Sequence, residues 1–291
     1  FDKEAALYFT NGYCASVGTL GSILQKGDTV ILDKLCHASL IDGSRLSGAT
    51  LRTFPHNDLE KLERILKSVT DNKVSNTRIL IVTEGIFSMD GDSSPILEII
   101  KLKKKYKALL LVDEAHSFGI YGDKGKGIVN SKGLQNDVDF IIATFGKSAG
   151  AAGAITASSR IWRDLIINKA RSFIYSTAPM PSQAAAALEG LRIIQSNEGD
   201  LRRKKLKKNI TSLCDKLNLD IPAGAIIPII IGDEETALKK SKDLMKSGIL
   251  APAIRYPTVA KGSARIRITI SSNHTKDCLL KLSKALMVSE S

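Results

Sequence analysis

The sequence predicts an α/β protein with a large domain built on a mostly parallel sheet and a smaller C-terminal α+β domain. Apolar runs of strand length alternate with helical segments, and three of these runs are spaced by about thirty residues, as in βαβ units. The composition then changes to a lysine-rich segment after residue 196. We therefore predict domains at residues 1–196 and 197–291.

The elements of the large domain follow from local patterns. The predicted strands are the apolar runs at residues 29–32, 79–83, 108–112, 140–144 and 153–158. Ser94 and Pro95 precede the apolar positions Ile96 and Ile99, which predicts an N-cap and the first residue of a helix. An alanine-rich run at 182–195 predicts a second, longer helix.

The smaller domain is predicted from the elements that follow the acidic segment at 197–200. A lysine-rich helix comes first, followed by strands at 225–231, 249–254 and 264–270 and helices at 234–246 and 276–288. In the last strand, Arg265 and Arg267 alternate with Ile266 and Ile268, which is typical of a half-buried strand.

Composition restricts the class of protein. No run of about 18 apolar residues and no signal peptide is present, so we expect a cytoplasmic protein without a membrane partner. The four cysteines form no C-x-x-C pair, so no metal site is expected. Much of the net charge of +12 lies in short helical runs and aromatic residues make up 5%, so we expect no nucleic-acid partner.

Polar residues follow three of the predicted strands. Asp113 and His116 follow the run at 108–112, Lys147 follows the run at 140–144, and Ser88 lies beyond the run at 79–83. Ligands of open α/β sheets bind at the carboxyl ends of the strands, so an acid, a histidine and a lysine would meet in one crevice. Taken singly, each residue is more typical of a helix cap or a surface charge.

A P-loop ATPase is a competing interpretation, because residues 113–116 spell a DEAH box and residues 146–148 end like a Walker A loop. Walker A requires a glycine where this chain has Ile141, and its lysine should precede the acidic motif. An acid, a lysine and an imidazole instead suit pyridoxal phosphate. Its aldehyde bonds to a lysine, and a carboxylate keeps its ring nitrogen protonated.

Seven segments, in their order along the chain, resemble the α-oxoamine synthases. They are GYC at 12–14, CHASL at 36–40, FPHND at 54–58, TEGIFSMDGD at 83–92, VDEAHSFG at 112–119, TFGKS at 144–148 and YST at 175–177. The resemblance implies pyridoxal phosphate as cofactor and the fold type I architecture of the aspartate aminotransferases. It also implies a homodimer with the active site at the subunit interface, and condensation of an amino acid with an acyl thioester with loss of carbon dioxide.

The resemblance further implies catalytic roles. Lys147 would bond to the cofactor and act as the base, and Asp113 would pair with the pyridinium nitrogen. His37 would stack on the ring, and His116 would bind its phenolic oxygen.

Other roles follow from the same resemblance. The remaining cofactor contacts would come from Ser88, from Thr144, Gly12, Tyr13 and Cys14 around the phosphate, and, across the subunit interface, from Ser176 or Thr177. Arg267 would bind the substrate carboxylate. Arg265 points the same way on a straight strand, so the choice between the two arginines rests on the resemblance alone.

Within the family, residues 88–92, 174–177 and 253–259 most resemble members that join L-alanine to a pimeloyl thioester in biotin synthesis. The thioester carrier would be coenzyme A or acyl carrier protein. Members resembling aminoketobutyrate ligase, aminolevulinate synthase or serine palmitoyltransferase are alternatives, because they share most of the pocket. Family members usually carry a longer N-terminal arm, so a fragment that binds the cofactor without turnover is a further alternative.

Overall fold

The structure is a computed structural model that describes residues 1–72 and 76–287. It divides into two compact units. The first comprises Phe1–Phe87 and Ser93–Gly199, and the second comprises Ser88–Asp92 and the chain from Asp200 onward. The segment Ser88–Asp92 thus belongs to the second unit, although its neighbours in sequence belong to the first. The boundary after residue 196 remains a proposal for where two domains divide.

The first unit is built on a seven-stranded sheet. Its strands are β1 (Ala5–Phe9), β2 (Thr29–Asp33), β3 (Thr50–Phe54), β4 (Ile79–Glu84), β5 (Leu109–Asp113), β6 (Phe140–Thr144) and β7 (Ala154–Ser158). Their order is β1-β7-β6-β5-β4-β2-β3. The strands β2 to β6 pair in parallel, and β7 is antiparallel to both β6 and β1. This mostly parallel sheet is the predicted architecture.

Helices connect these strands. They are α1 (Gly12–Ile23), α2 (Ala38–Leu46), α3 (Leu59–Asp71), α4 (Ile96–Lys105), α5 (Ile128–Ser131), α6 (Arg160–Lys169), α7 (Arg171–Ile174) and α8 (Pro181–Gln195), with single 3-10 turns at Asp123–Gly125 and Gln135–Asp137. Every residue of β4 is buried, as expected for a parallel strand covered on both faces. The core around the sheet includes Leu32, Val82, Leu111 and Phe140.

The five strands predicted for this unit are confirmed to within one residue at each end. The edge strand β3 was missed because only its last residue, Phe54, is buried, so its sequence has no apolar run. The predicted cap of α4 is wrong. Pro95 occupies the N-cap position, and the buried hydroxyl of Ser94 makes no hydrogen bond. The amide of Ile96 donates to the carbonyl oxygen of Ser94.

The second unit contains a three-stranded antiparallel sheet. Its elements are α9 (Asn197–Leu217), which begins just before the unit, β8 (Ile226–Gly232), α10 (Glu234–Lys246), β9 (Ala253–Ile254), β10 (Ala264–Thr269) and α11 (Lys276–Met287). The strand order is β8-β10-β9. The last predicted residue of the final helix, Val288, lies outside the described residues.

The strand predicted at 249–254 is wrong over most of its length, because only Ala253 and Ile254 pair with β10. The amide of Ile249 bonds to the carbonyl oxygen of Leu244 and closes the end of α10. Pro252 has no amide hydrogen to give to a ladder, although its carbonyl oxygen accepts from the amide of Arg267.

Over residues 1–72 and 76–287, no helix is long and apolar enough to cross a membrane. Within the same residues, no group of three or more histidine, cysteine or acidic side chains is arranged to hold a metal ion.

Candidate active site

The carboxyl edge of the parallel strands brings Lys147 and His116 together. The Lys147 Nζ lies 2.7 Å from the His116 Nε2, although the two residues come from the loops after β6 and β5. The hydroxyl of Ser148 donates to the carbonyl oxygen of Phe118 at 2.7 Å and ties the same two loops together. The amine and the imidazole are therefore held side by side, as expected for residues that follow neighbouring parallel strands.

Asp113 is the last residue of β5 and is buried. Its Oδ1 accepts from the amide of Ala115 at 2.8 Å. Burial raises the pKa of the Asp113 carboxyl, and the positive charge of Lys147 opposes this rise. A buried carboxyl that gains from a nearby cation is suited to stabilise positive charge in the crevice.

His37 lies immediately before α2 and caps it. Its ring Nδ1 accepts from the amide of Ser39 at 3.2 Å and lies 2.8 Å from the Ser39 hydroxyl. Its own main-chain amide donates to the carboxyl of Glu84 at 2.6 Å. Both the backbone and the ring of His37 are thus fixed before any ligand arrives.

Glu84 is a buried residue of this site that the sequence interpretation missed. It ends β4 directly opposite Asp113 on β5. Burial raises the pKa of Glu84 well above its usual value, and the charge of Asp113 raises it further. The signal was available in the sequence, because Glu84 lies at the carboxyl end of a predicted strand within the TEG segment.

The start of α1 forms the part of the site predicted to hold phosphate. The side chain of Asn11 caps the helix by accepting from the amide of Cys14 at 2.8 Å. That amide is therefore already engaged, and the amides of Gly12 and Tyr13 remain as first-turn donors. A Cβ atom on Gly12 would lie 3.8 Å from the Cβ of Thr144, so the helix start and Thr144 are neighbours.

Ser176 and Thr177, which were predicted to act across a subunit interface, are exposed in this chain. The Ser176 hydroxyl donates to the carbonyl oxygen of Phe173 at 3.2 Å. The preceding Tyr175 is exposed as well, and the guanidinium of Arg171 lies 4.8 Å from its ring centroid.

Ser88 and Arg267 belong to the second unit, where they contact each other. The Arg267 Nε donates to the carbonyl oxygen of Ser88 at 2.7 Å. Arg265, on the same face of β10, is buried and forms an ion pair with Asp90 at 2.7 Å. The Arg267 Nη1 also donates to the Thr269 hydroxyl at 3.2 Å, and its binding of a substrate carboxylate stays a prediction.

Comparison with known proteins identifies the family of the chain. The family model for class I and II aminotransferases matches residues 1–286. The chain belongs to this family. The matching aminotransferase fold also confirms the predicted α/β fold class.

Within this family, the chain is similar to enzymes with one named activity. The chain is 42% identical over 280 residues to the 8-amino-7-oxononanoate synthase of Alkalilimnicola ehrlichii, covering 94% of this chain and 70% of that protein. The crystal structure of the 8-amino-7-oxononanoate synthase from Francisella tularensis has a TM-score of 0.80 at 29% identity and covers 100% of this chain and 84% of its own.

Serine palmitoyltransferase is similar as well. A structure of that enzyme with a pyridoxal phosphate internal aldimine has a TM-score of 0.92 at 29% identity, covering 98% of this chain and 72% of its own. Relatives from both branches of the α-oxoamine synthases therefore match over nearly the whole chain, which confirms the family resemblance drawn from the seven sequence segments.

Proposed function

We propose that the protein is a pyridoxal-phosphate-dependent acyltransferase that condenses L-alanine with a pimeloyl thioester. The products would be 8-amino-7-oxononanoate, carbon dioxide and the free thiol carrier. The observation that carries the proposal is the meeting of Lys147, His116 and Asp113 at one sheet edge in a chain whose relatives carry this enzyme's name. Identity above 40% to these relatives favours this reaction over those of the ligase and palmitoyltransferase branches.

The residues of the first unit fit pyridoxal phosphate. Lys147 supplies the primary amine that its aldehyde requires, and the buried Asp113 would gain an opposite charge from its ring nitrogen. The amides of Gly12 and Tyr13 at the start of α1, beside Thr144, offer donors and the positive end of a helix to its phosphate. His37 would stack on the ring.

When bound, the cofactor withdraws electrons from the α-carbon of an amino acid attached to it. The protein would then have to move the α-proton, and Lys147 would be the amine that accepts and returns it. His116, 2.7 Å from that amine, would orient it by a hydrogen bond and also bind the phenolic oxygen of the cofactor. Asp113 would hold the ring nitrogen in its protonated form.

Substrate recognition would involve the second unit. Arg267 would bind the carboxylate of L-alanine through the guanidinium edge that faces no carboxylate of the described chain. Ser88 would line the cofactor pocket. Burial lowers the pKa of Arg267, but the ordinary value for arginine is so high that the side chain remains a cation.

The assembly belongs to the same proposal. We expect a cytoplasmic homodimer in which the exposed Ser176 or Thr177 of one protomer reaches the phosphate bound by the other. The carrier of the pimeloyl group would be coenzyme A or acyl carrier protein, and the basic composition of the chain would favour either acidic carrier.

The test is an absorbance titration with pyridoxal phosphate, followed by L-alanine, glycine and L-serine in separate cuvettes. We expect a yellow band from the lysine-bound cofactor that changes chiefly with L-alanine, and product detected by mass spectrometry after pimeloyl thioester is added. Lys147→Ala should abolish both signals, whereas Lys169→Ala, at the exposed end of α6, should retain them. A band that responds chiefly to glycine or L-serine would contradict the assigned substrate.

A further inference from the structure

The segment Ser88–Asp92, called here the 88–92 loop, is held residue by residue within the second unit. The carbonyl oxygen of Ser88 accepts from the Arg267 Nε at 2.7 Å, and that of Met89 accepts from the Arg265 Nη1 at 3.0 Å. The Asp90 carboxylate then pairs with the same Arg265 nitrogen at 2.7 Å. Two arginines of one strand thus bind three consecutive residues of the loop.

The remainder of the loop is held by backbone. The carbonyl oxygen of Gly91 accepts from the amide of Ala223 at 2.8 Å. Gly91 has a φ of +72°, and a Cβ atom there would overlap the carbonyl oxygen of Ile226. The backbone of β8 therefore approaches the loop so closely that only glycine fits.

Both ends of the loop are anchored in the first unit. Ile86 and Ser93 form an isolated antiparallel bridge that closes the neck of the loop. The Asn57 Nδ2 donates to the carbonyl oxygen of Ser93 at 3.3 Å, and the ring of Phe87 lies 4.4 Å from that of His56. The bridge between Ile86 and Ser93 is thus fixed independently of the contacts that Arg265 and Arg267 make with residues 88–90.

The buried guanidinium of Arg265 depends on its ion pair with Asp90. It is 7% exposed, and its Nε also donates to the carbonyl oxygen of Ser263 at 3.2 Å. A buried guanidinium is costly unless opposite charge and acceptors surround it, and breaking such a pair is far more damaging than replacing it. Asp90 supplies the opposite charge, so the pair fixes both the loop and the strand.

We propose that Arg265 and Asp90 are positioning residues that set the geometry of Ser88 and Arg267 for binding of the L-alanine carboxylate. The proposal rests on the proposed function, because it takes the roles of Ser88 and Arg267 from there. Arg265 and Arg267 are two residues apart on β10 and bind the carbonyl oxygens of the adjacent residues Met89 and Ser88. A displacement of one of these contacts therefore displaces the other.

The first experiment measures amide hydrogen exchange, in the full chain, of the peptide containing Ala223, whose amide donates to the carbonyl oxygen of Gly91 in the loop. Asp90→Asn and Arg265→Lys keep similar volumes while weakening the pair, and we expect each to speed exchange in this peptide at least tenfold. The matched control is Asp243→Asn, which removes a carboxylate from the exposed Lys246 pair of α10 and should leave this exchange unchanged. Unchanged exchange in both pair variants would refute the positioning role, whether or not the chain is an enzyme.

The second experiment measures L-alanine binding to the pyridoxal phosphate-loaded protein through the cofactor absorbance. We expect Asp90→Asn to weaken binding about tenfold and Arg267→Lys to weaken it more. The double variant should be scarcely weaker than Arg267→Lys, since one contact acts through the other. Effects that multiply would show that Asp90 contributes stability alone and would overturn the proposal.

The two ideas fail in different ways. If the parent protein gives no cofactor band, the proposed function fails, while hydrogen exchange still decides whether the pair holds the loop. If the parent protein responds to L-alanine and both pair variants bind it within twofold of the parent, the positioning role fails and the proposed function stands.

Discussion

Glu84 and Asp113 lie opposite one another at the carboxyl ends of adjacent parallel strands, and both carboxyl groups are buried. Burial raises the pKa of each, and the rise is larger for Glu84 because the charge of Asp113 adds to it. Two like charges in one buried site disfavour each other, so we expect Glu84 to be the member that retains its proton.

Glu84→Gln should therefore change how stability depends on pH. Because the pKa of Glu84 is raised in the folded state, its bound proton stabilises that state. This stabilisation is fully present below the pKa of the unfolded state, about 4.3, and is lost as the pH rises toward the pKa of the folded state. Glutamine can still accept from the amide of His37 but cannot ionise. In urea unfolding between pH 5 and 8 without added cofactor, the variant should gain stability relative to the parent as pH rises.

Glu63→Gln is the matched control. The pKa of the half-exposed Glu63 is lowered, chiefly by its hydrogen bond from Lys105. Its contribution to stability is therefore present above the pKa of the unfolded state and lost toward acid. The control should lack the rise expected for Glu84→Gln. Parallel stability curves for the parent and Glu84→Gln would mean that Glu84 ionises normally.

Asp113→Asn should separate cofactor binding from chemistry. Lys147 and the amides at the start of α1 remain, so pyridoxal phosphate should still bind with a yellow band. The ring nitrogen would lose its negative partner, and exchange of the L-alanine α-proton for deuterium should fall by about 100-fold or more, equivalent to roughly 3 kcal/mol. Proton NMR in deuterium oxide measures this exchange. Undiminished exchange would contradict the role assigned to Asp113.

Glu114 gives a second pH prediction, independent of cofactor. This buried carboxylate accepts from the amides of Ile128 and Val129 at 2.9 and 2.7 Å and from the Ser117 hydroxyl. Burial nevertheless raises its pKa from 4.5 to about 7. The folded state therefore binds a proton that the unfolded state releases, and up to about 3 kcal/mol of stability is lost as pH rises between these values.

Glu114→Gln should remove this dependence, so its unfolding midpoint should change less between pH 5 and 8 than that of the parent. Glu114→Leu leaves the same donors without an acceptor and should be destabilised at every pH, by about 1–3 kcal/mol for each unsatisfied group. A leucine variant as stable as the glutamine variant would show that the three donors contribute little.

Gly153→Ala tests a close approach at the start of β7. Gly153 has a φ of +99°, and a Cβ atom there would overlap the phenol of Tyr8, which donates to the carbonyl oxygen of Ala152 at 3.1 Å. Gly133 has a φ of +68° with open space around it, so Gly133→Ala isolates the backbone cost of about 1 kcal/mol. Gly153→Ala should cost about 2 kcal/mol more, measured by urea unfolding. Equal losses would refute the steric argument.

The sequence was most informative where local pattern and tertiary environment agree. The first four residues of β4 and of β6 are all apolar and buried, so each strand contains a continuous apolar run that can be recognised without knowing its neighbours. The edge strand β3 lacked that signal because pairing with β2, a property of the whole sheet, defines it. The length of the short strand β9 was overestimated because an apolar run does not show which of its residues pair with a neighbouring strand.

The same division holds for the site. The order of Asp113, His116 and Lys147 after successive predicted strands was enough to predict a crevice, because parallel strands end at one edge of a sheet. The residues that depend on pairing across strands were not predicted. Glu84 could be recognised as a site residue only because it lies opposite Asp113. Arg265 could be distinguished from Arg267 only by its ion pair with Asp90, 175 residues away in the chain.

The α/β class, the positions of the buried strands and the segments that resemble the family's cofactor-binding motifs could be predicted from the sequence, since each depends on hydrophobic periodicity or on short motifs. Three features could be seen only in the folded chain. They are the register that places Glu84 beside Asp113, the assignment of the 88–92 loop to the second unit, and the distinct contacts of the two arginines. Those features depend on contacts between residues far apart in the chain, and on burial that changes the free energy of each charge, which no local pattern records.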